Sequence, residues 1–157
     1  MAEEKKRLKE TEGSVLLEAE NLVKEFPLAN SRKGKQVVHA VSGVSLTIYE
    51  GETLALVGES GCGKSTLGRT LIRLLPATSG RLMFQGMEIS SMKEKEFAPY
   101  RRQMQLIFQD PYASLNPRMN VKEIIAEPLT TYGMAKDKED LERQVKELMK
   151  EVGIPVE

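Results

Sequence analysis

Nine consecutive residues, Gly58-Glu59-Ser60-Gly61-Cys62-Gly63-Lys64-Ser65-Thr66, constrain this chain more tightly than any other stretch. They satisfy the phosphate-loop pattern G-x-x-x-x-G-K-S/T at every fixed position. The flanks fit the same reading. Thr53-Leu54-Ala55-Leu56-Val57 is an apolar run of strand type, and Leu67, Leu71, Leu74 and Leu75 recur at helical spacing after the loop. Strand, glycine-rich loop and helix are what phosphate binding requires. Glycines reach backbone angles closed to other residues, so successive N–H groups can wrap an anion. The helix N-terminus adds its partial positive charge. Gly58, Gly61 and Gly63 supply the turn, Lys64 can reach the β- and γ-phosphates, and the Ser65 hydroxyl can ligate Mg²⁺. A dinucleotide fingerprint does not fit, because Thr66 stands where its third glycine would be.

The chain's 157 residues suffice for one domain with a real core, and 40% hydrophobic with 29% charged residues is an ordinary globular balance. The 23 basic and 23 acidic side chains cancel, which argues against a general nucleic-acid binder. One cysteine excludes an internal disulfide and any multi-cysteine metal site. No apolar run approaches the ~20 residues of a membrane-spanning helix. The first residues carry acids and no apolar segment, unlike a signal peptide.

Residues 1–13 form a charged tail, and residues 14–157 read as α/β. Strands are expected at Val15–Phe26, Gln36–Val41 and Val44–Tyr49, the last with Val44, Leu46 and Ile48 on its buried face. Residues 29–35 form a polar loop, and Glu50-Gly51-Glu52 is a tight turn. Pro76 is expected to stop the helix after the phosphate loop. Arg81–Ile89 predicts a strand, a turn at Gly86 and a short return. Ser91 is expected to cap a helix running through Ala98, and Met104–Phe108 to form another strand. Helices follow at Val121–Ala126, before Pro128, and at Lys138–Val152, with Gly153 as C-cap.

Three stretches, Gly51–Leu67, Leu74–Gly80 and Ile107–Met119, carry a resemblance to the nucleotide-binding domain of ATP-binding cassette (ABC) transporters. Ile107-Phe108-Gln109-Asp110-Pro111-Tyr112-Ala113-Ser114-Leu115-Asn116-Pro117-Arg118-Met119 is the most specific, because it resembles the glutamine loop of the peptide-importer branch. The similarity runs from about Leu16 to Glu157. It implies a phosphate-loop ATPase fold: an antiparallel β subdomain, part of a parallel core, a glutamine loop at 108–119 and a helical subdomain from about residue 120. The implied cofactors are ATP and Mg²⁺. Gly58, Gly61, Gly63, Lys64, Ser65 and Thr66 would hold the phosphates. Gln109 would reach Mg²⁺ and the attacking water and report nucleotide state to the membrane subunit. Phe26 stands where the family places an aromatic that stacks on adenine, although a Phe at a strand end before Pro27 is otherwise an edge-packing residue.

The implied function is ATP-driven import of oligopeptides or dipeptides, from the cytoplasmic face of the plasma membrane. The implied partners are permease subunits, met through Asp110–Met119, and a second ATPase subunit, identical or not. Importers of nickel or glutathione would look alike here. A small kinase or another phosphate-loop enzyme is the alternative, but it has no reason to carry the Gln109–Met119 stretch. The family's Leu-Ser-Gly-Gly-Gln signature, its strand ending in Asp-Glu and its later histidine are not found. The sequence is therefore expected to be an N-terminal fragment, without turnover alone and with apolar strand surface uncovered. Asp110 is out of register for a metal-holding acid and reads as a cap or turn residue. His39, the sole histidine, reads as packed or on the surface, and Cys62 as a small loop residue with some thiolate character.

Overall fold

The computed structural model describes residues 13–28, 36–110 and 114–156, which form two compact units, the first ending at Leu106 and the second beginning at Ile107. The charged tail up to residue 12, the 29–35 loop and Pro111–Ala113 lie outside the described residues.

The first unit is built on a four-stranded antiparallel sheet in the order β2-β1-β3-β4, from β1 (Val15–Pro27), β2 (Val37–Tyr49), β3 (Ser79–Phe84) and β4 (Met87–Glu88). Alternation explains its faces: β1 buries Leu17, Ala19 and Leu22, and β3 buries Leu82 and Phe84. Val44, Leu46 and Ile48 of β2 pack on the same core, as their spacing predicts. The two strands expected within 36–49 are one. Both halves pair with β1, so Gly43, at φ 67°, marks an irregularity within a strand instead of a hairpin turn. Gln85 and Gly86, both at positive φ, make the two-residue turn between β3 and β4.

Helix α1 (Lys64–Leu71) packs on β1 and β2 through Leu67 and Leu71. It ends before Pro76: Arg73 turns left-handed at φ 55°, and the Leu74 and Leu75 amides fold back to the Arg69 carbonyl. Helix α2 (Glu94–Arg101) starts after Lys93 instead of Ser91, because the Glu96 carboxylate accepts the Lys93 N–H at 2.9 Å. Its Phe97 is fully buried, stacked with Tyr100 and covered by the Arg73 guanidinium 4.3 Å from the ring centroid. Burying a side chain of this kind contributes about 1.5–3 kcal/mol.

Two expected strands do not form ladders. Thr53–Val57 and Met104–Phe108 belong to no sheet among the described residues. A strand is a pairing, not a property of one segment, and no neighbour is supplied to either. Val57 is 93% exposed as a result.

The second unit holds α3 (Val121–Thr131) and α4 (Lys138–Glu151), packed through Leu129, Val145 and Met149. Asn120 and Glu123 form a reciprocal cap at the start of α3. The helix runs past its expected end, carrying Pro128 inside it. Gly153, at φ 72°, closes α4 as predicted, its N–H bonded to the Lys150 carbonyl and that of Ile154 to Met149. Among the described residues, no helix is long and apolar enough to cross a membrane.

Candidate phosphate-binding site

The loop from Gly58 to Cys62 is exposed, with Gly61 at φ 81° and Gly63 at φ 95°. Gly63 is fixed by more than its angle. A Cβ there would sit 2.1 Å from the Ala40 carbonyl oxygen of β2. The β1–β2 ladder pairs Lys24 with Val41 and Glu25 with His39, passing over Ala40. The sheet irregularity thus presents a backbone carbonyl against the loop's last glycine.

The N-terminus of α1 has neither a side-chain cap nor an acid in its first turn, and its cap residue, Gly63, offers no side chain. By contrast, α3 and α4 are capped by Asn120 and Asp137 side chains and carry acids in their first turns. At that end of α1 the Leu67 N–H donates to the Gly63 carbonyl at 2.8 Å. The amides before it carry the helix's positive end.

Lys64 lies across this end. Its ammonium donates to the carbonyls of Gly58 at 2.7 Å and Glu59 at 2.6 Å, with Cys62 Sγ 3.5 Å away. An ammonium has three donors, and these three contacts use them. The sulfur contact is the longest, and a phosphate oxygen would displace it first. Ser65, next along the helix, is exposed, and Thr66 is half-buried with its carbonyl accepting from the Thr70 hydroxyl at 2.7 Å. Cys62 is an exposed free thiol.

Phe26, next to last in β1 and opposite Val38, is 37% exposed, and the Lys24 ammonium lies 5.0 Å from its ring centroid. His39 pairs across the ladder with Glu25, Nδ1 to Oε1 at 2.8 Å, on the surface. Of the packed and surface readings of its sequence, the surface one holds. Gln109 and Asp110 are exposed and belong to the second unit. Among the described residues, no cluster of three or more His, Cys, Asp or Glu side chains could hold a metal by itself. Two neighbours of these residues escape the sequence reading. Lys24 carries the faint signal of standing two residues before an aromatic on a strand, where side chains share a face. The Ala40 carbonyl carries none, because it depends on a skipped ladder position.

A glycine-rich loop opening an uncapped helix, seated on a β-sheet, defines a phosphate-loop nucleotide-binding module. The chain belongs to the ABC transporter family, whose model matches residues 41–156. It is 46% identical over 149 residues to the oligopeptide transport ATP-binding protein OppF of Escherichia coli (strain K12), a match covering 92% of this chain and 45% of that protein. It is 53% identical over 118 residues to OppF of Bacillus subtilis (strain 168), covering 74% and 39% respectively. The chain thus spans less than half the length of these relatives. Among solved structures it is similar to the ATP-binding cassette MJ0796 in a dimeric post-hydrolysis state bound to ADP and Pi. The TM-score is 0.70 at 26% identity, over 86% of this chain and 56% of that one. It is also similar to CbiO1 from Clostridium perfringens, part of the ABC transporter complex cbiONQ, with TM-score 0.63 at 27% identity over 89% and 51%.

Proposed function

We propose that this chain carries the nucleotide-binding half-site of an ATPase subunit that powers import of oligopeptides or dipeptides. The observation that carries the reading is the loop itself: Lys64 held at an uncapped, acid-free helix start, in a chain about half identical to oligopeptide transport ATP-binding proteins. The triphosphate would lie along the amides from Gly61 to Thr66, with Lys64 on its β- and γ-phosphates. Phe26 would stack on adenine. Mg²⁺, when bound, neutralises charge developing between the β- and γ-phosphates. Ser65 and Gln109 would ligate it together with the phosphates, in keeping with the few protein ligands Mg²⁺ ordinarily takes. Gln109 would also orient the attacking water.

In this reading the protein works on the cytoplasmic face of the plasma membrane. A second ATPase subunit completes each site, and Asp110–Met119 lies against a permease subunit. The test is made on the full-length protein assembled with its permease. Lys64→Ala is expected to abolish ATP binding and peptide uptake together. Gln109→Ala is expected to keep ATP affinity and lower kcat about a hundredfold or more. ATP binding that survives Lys64→Ala would overturn the assignment of the loop. Full turnover in Gln109→Ala would remove that residue from the chemistry.

A further inference from the structure

Lys24 belongs to none of the motifs above, yet it makes two contacts, one to the turn after α1 and one to the Phe26 ring. Its ammonium donates to the Pro76 carbonyl at 2.8 Å and lies 5.0 Å from the centroid of the Phe26 ring. The carbonyl that pins it is itself immobilised. Pro76 opens the turn that follows α1, and that turn is tied to β1 by two more bonds. The Thr78 N–H donates to the Val23 carbonyl at 2.8 Å, and the Glu25 N–H donates to the Thr78 hydroxyl at 2.9 Å. Three hydrogen bonds thus join Val23, Lys24 and Glu25 to the segment 76–78, immediately before Phe26. The turn after the phosphate-loop helix and the end of β1 are thereby tied together.

We propose that Lys24 is a positioning residue for a purine base, holding Phe26 as a one-faced stacking platform. The inference rests on the reading of Phe26 as the base-stacking residue. A cation over one face of an aromatic ring occupies that face and draws the ring's electron density towards itself. The opposite face is then less negative, and a flat purine meets less π-cloud repulsion there. A ring held before the ligand arrives also loses less freedom on binding. The platform reads a flat aromatic surface and no base edge. Its effect belongs to the base and not to the phosphates, which the loop holds by itself.

This separation makes the experiment. Binding of Mg²⁺-ATP and of Mg²⁺-tripolyphosphate, which has the phosphates without the nucleoside, is measured by calorimetry on the full-length protein. The variants are Phe26→Ala, Lys24→Met and Lys24→Arg, each checked for an unchanged melting temperature. Lys24→Met is expected to weaken ATP binding about two- to fivefold. It should raise KM for ATP at constant kcat and leave tripolyphosphate binding unaltered. Lys24→Arg, which restores a cation over the ring, is expected to recover most of the loss. Phe26→Ala should weaken ATP binding further and spare tripolyphosphate. If Phe26→Ala weakens ATP binding while Lys24→Met does not, the role of Lys24 is overturned and the stacking reading stands. If Lys24→Met weakens both probes alike, Lys24 acts through the phosphate-loop helix, and the proposal is wrong. If Phe26→Ala binds ATP as the parent does, the stacking reading fails and this inference fails with it.

Discussion

Gly63 meets two demands at one residue. Its φ of 95° lies in the left-handed region, and the Ala40 carbonyl occupies the space a side chain would need. Gly61 meets only the first, since a Cβ there would have nothing within 4 Å. The two positions therefore separate backbone strain from steric conflict. Gly61→Ala is expected to cost about 1–2 kcal/mol, the ordinary price of the left-handed conformation. Gly63→Ala should cost clearly more, because backbone must shift, and should also abolish nucleotide binding by displacing Lys64. Thermal melts paired with nucleotide titrations of both variants check this. Equal losses would mean that β2 yields to the new methyl group. The pattern makes Gly63 legible in the sequence, whereas Gly61 stands at one of its variable positions. The reason that Gly63 matters more is not legible there, because it arises from a β2 carbonyl 23 positions earlier.

At the scale of elements, α4 offers a pH-dependent test. The Asp137 side chain accepts the Asp140 N–H at 2.8 Å, and the Asp140 carboxylate accepts the Lys136 N–H at 3.1 Å and a bond from Arg143. These contacts hold the Asp140 carboxyl below the usual aspartate range, the Lys136 amide most of all, then the Arg143 guanidinium. A carboxyl lowered by folding stabilises the fold above its unfolded value and loses that contribution as pH falls through its folded one. Helicity of the second unit should therefore decline on acidification below about pH 4, and Asp140→Asn should flatten that part of the profile. Asp137→Ala should cost about 1 kcal/mol at neutral pH by removing the cap. Circular dichroism against pH and denaturant reads both, and an unchanged acid profile in Asp140→Asn would discount the assignment. Elements specified by neighbouring residues are the ones the sequence reveals: the Gln85–Gly86 hairpin, the Gly153 cap and the alternating face of β2. Pro128 misleads because a helix already under way can carry it once the surrounding turns supply the packing. The paired state of Thr53–Val57 misleads for the opposite reason, since local pattern announces a strand but only a distant partner can make one.

On the scale of the whole molecule, each unit has its own core, one beneath the antiparallel sheet and one between α3 and α4. The antiparallel part and the phosphate loop are legible because hairpins and motifs are local. The ABC transporter family is legible because the loop and the Ile107–Met119 stretch are specific. Among the described residues, the segment 52–59 lies outside any ladder, as Met104–Phe108 does, and it is exposed, with Leu54 and Leu56 each 42% exposed. Proteases grip their substrates as chain released from sheet and helix, and Thr53–Val57, unlike β1 and β2, is in no ladder among the described residues. Thermolysin, which cuts before bulky apolar residues, is expected to nick the 157-residue chain first between Thr53 and Val57. Mass spectrometry of the earliest fragments reads the position, and first cuts inside β1 or β2 would contradict it. Such a nick would sever the phosphate loop from the β1–β2 pair that supports Gly63, so a single cut in a stretch outside any ladder would dismantle the loop's support without touching any residue of the loop itself.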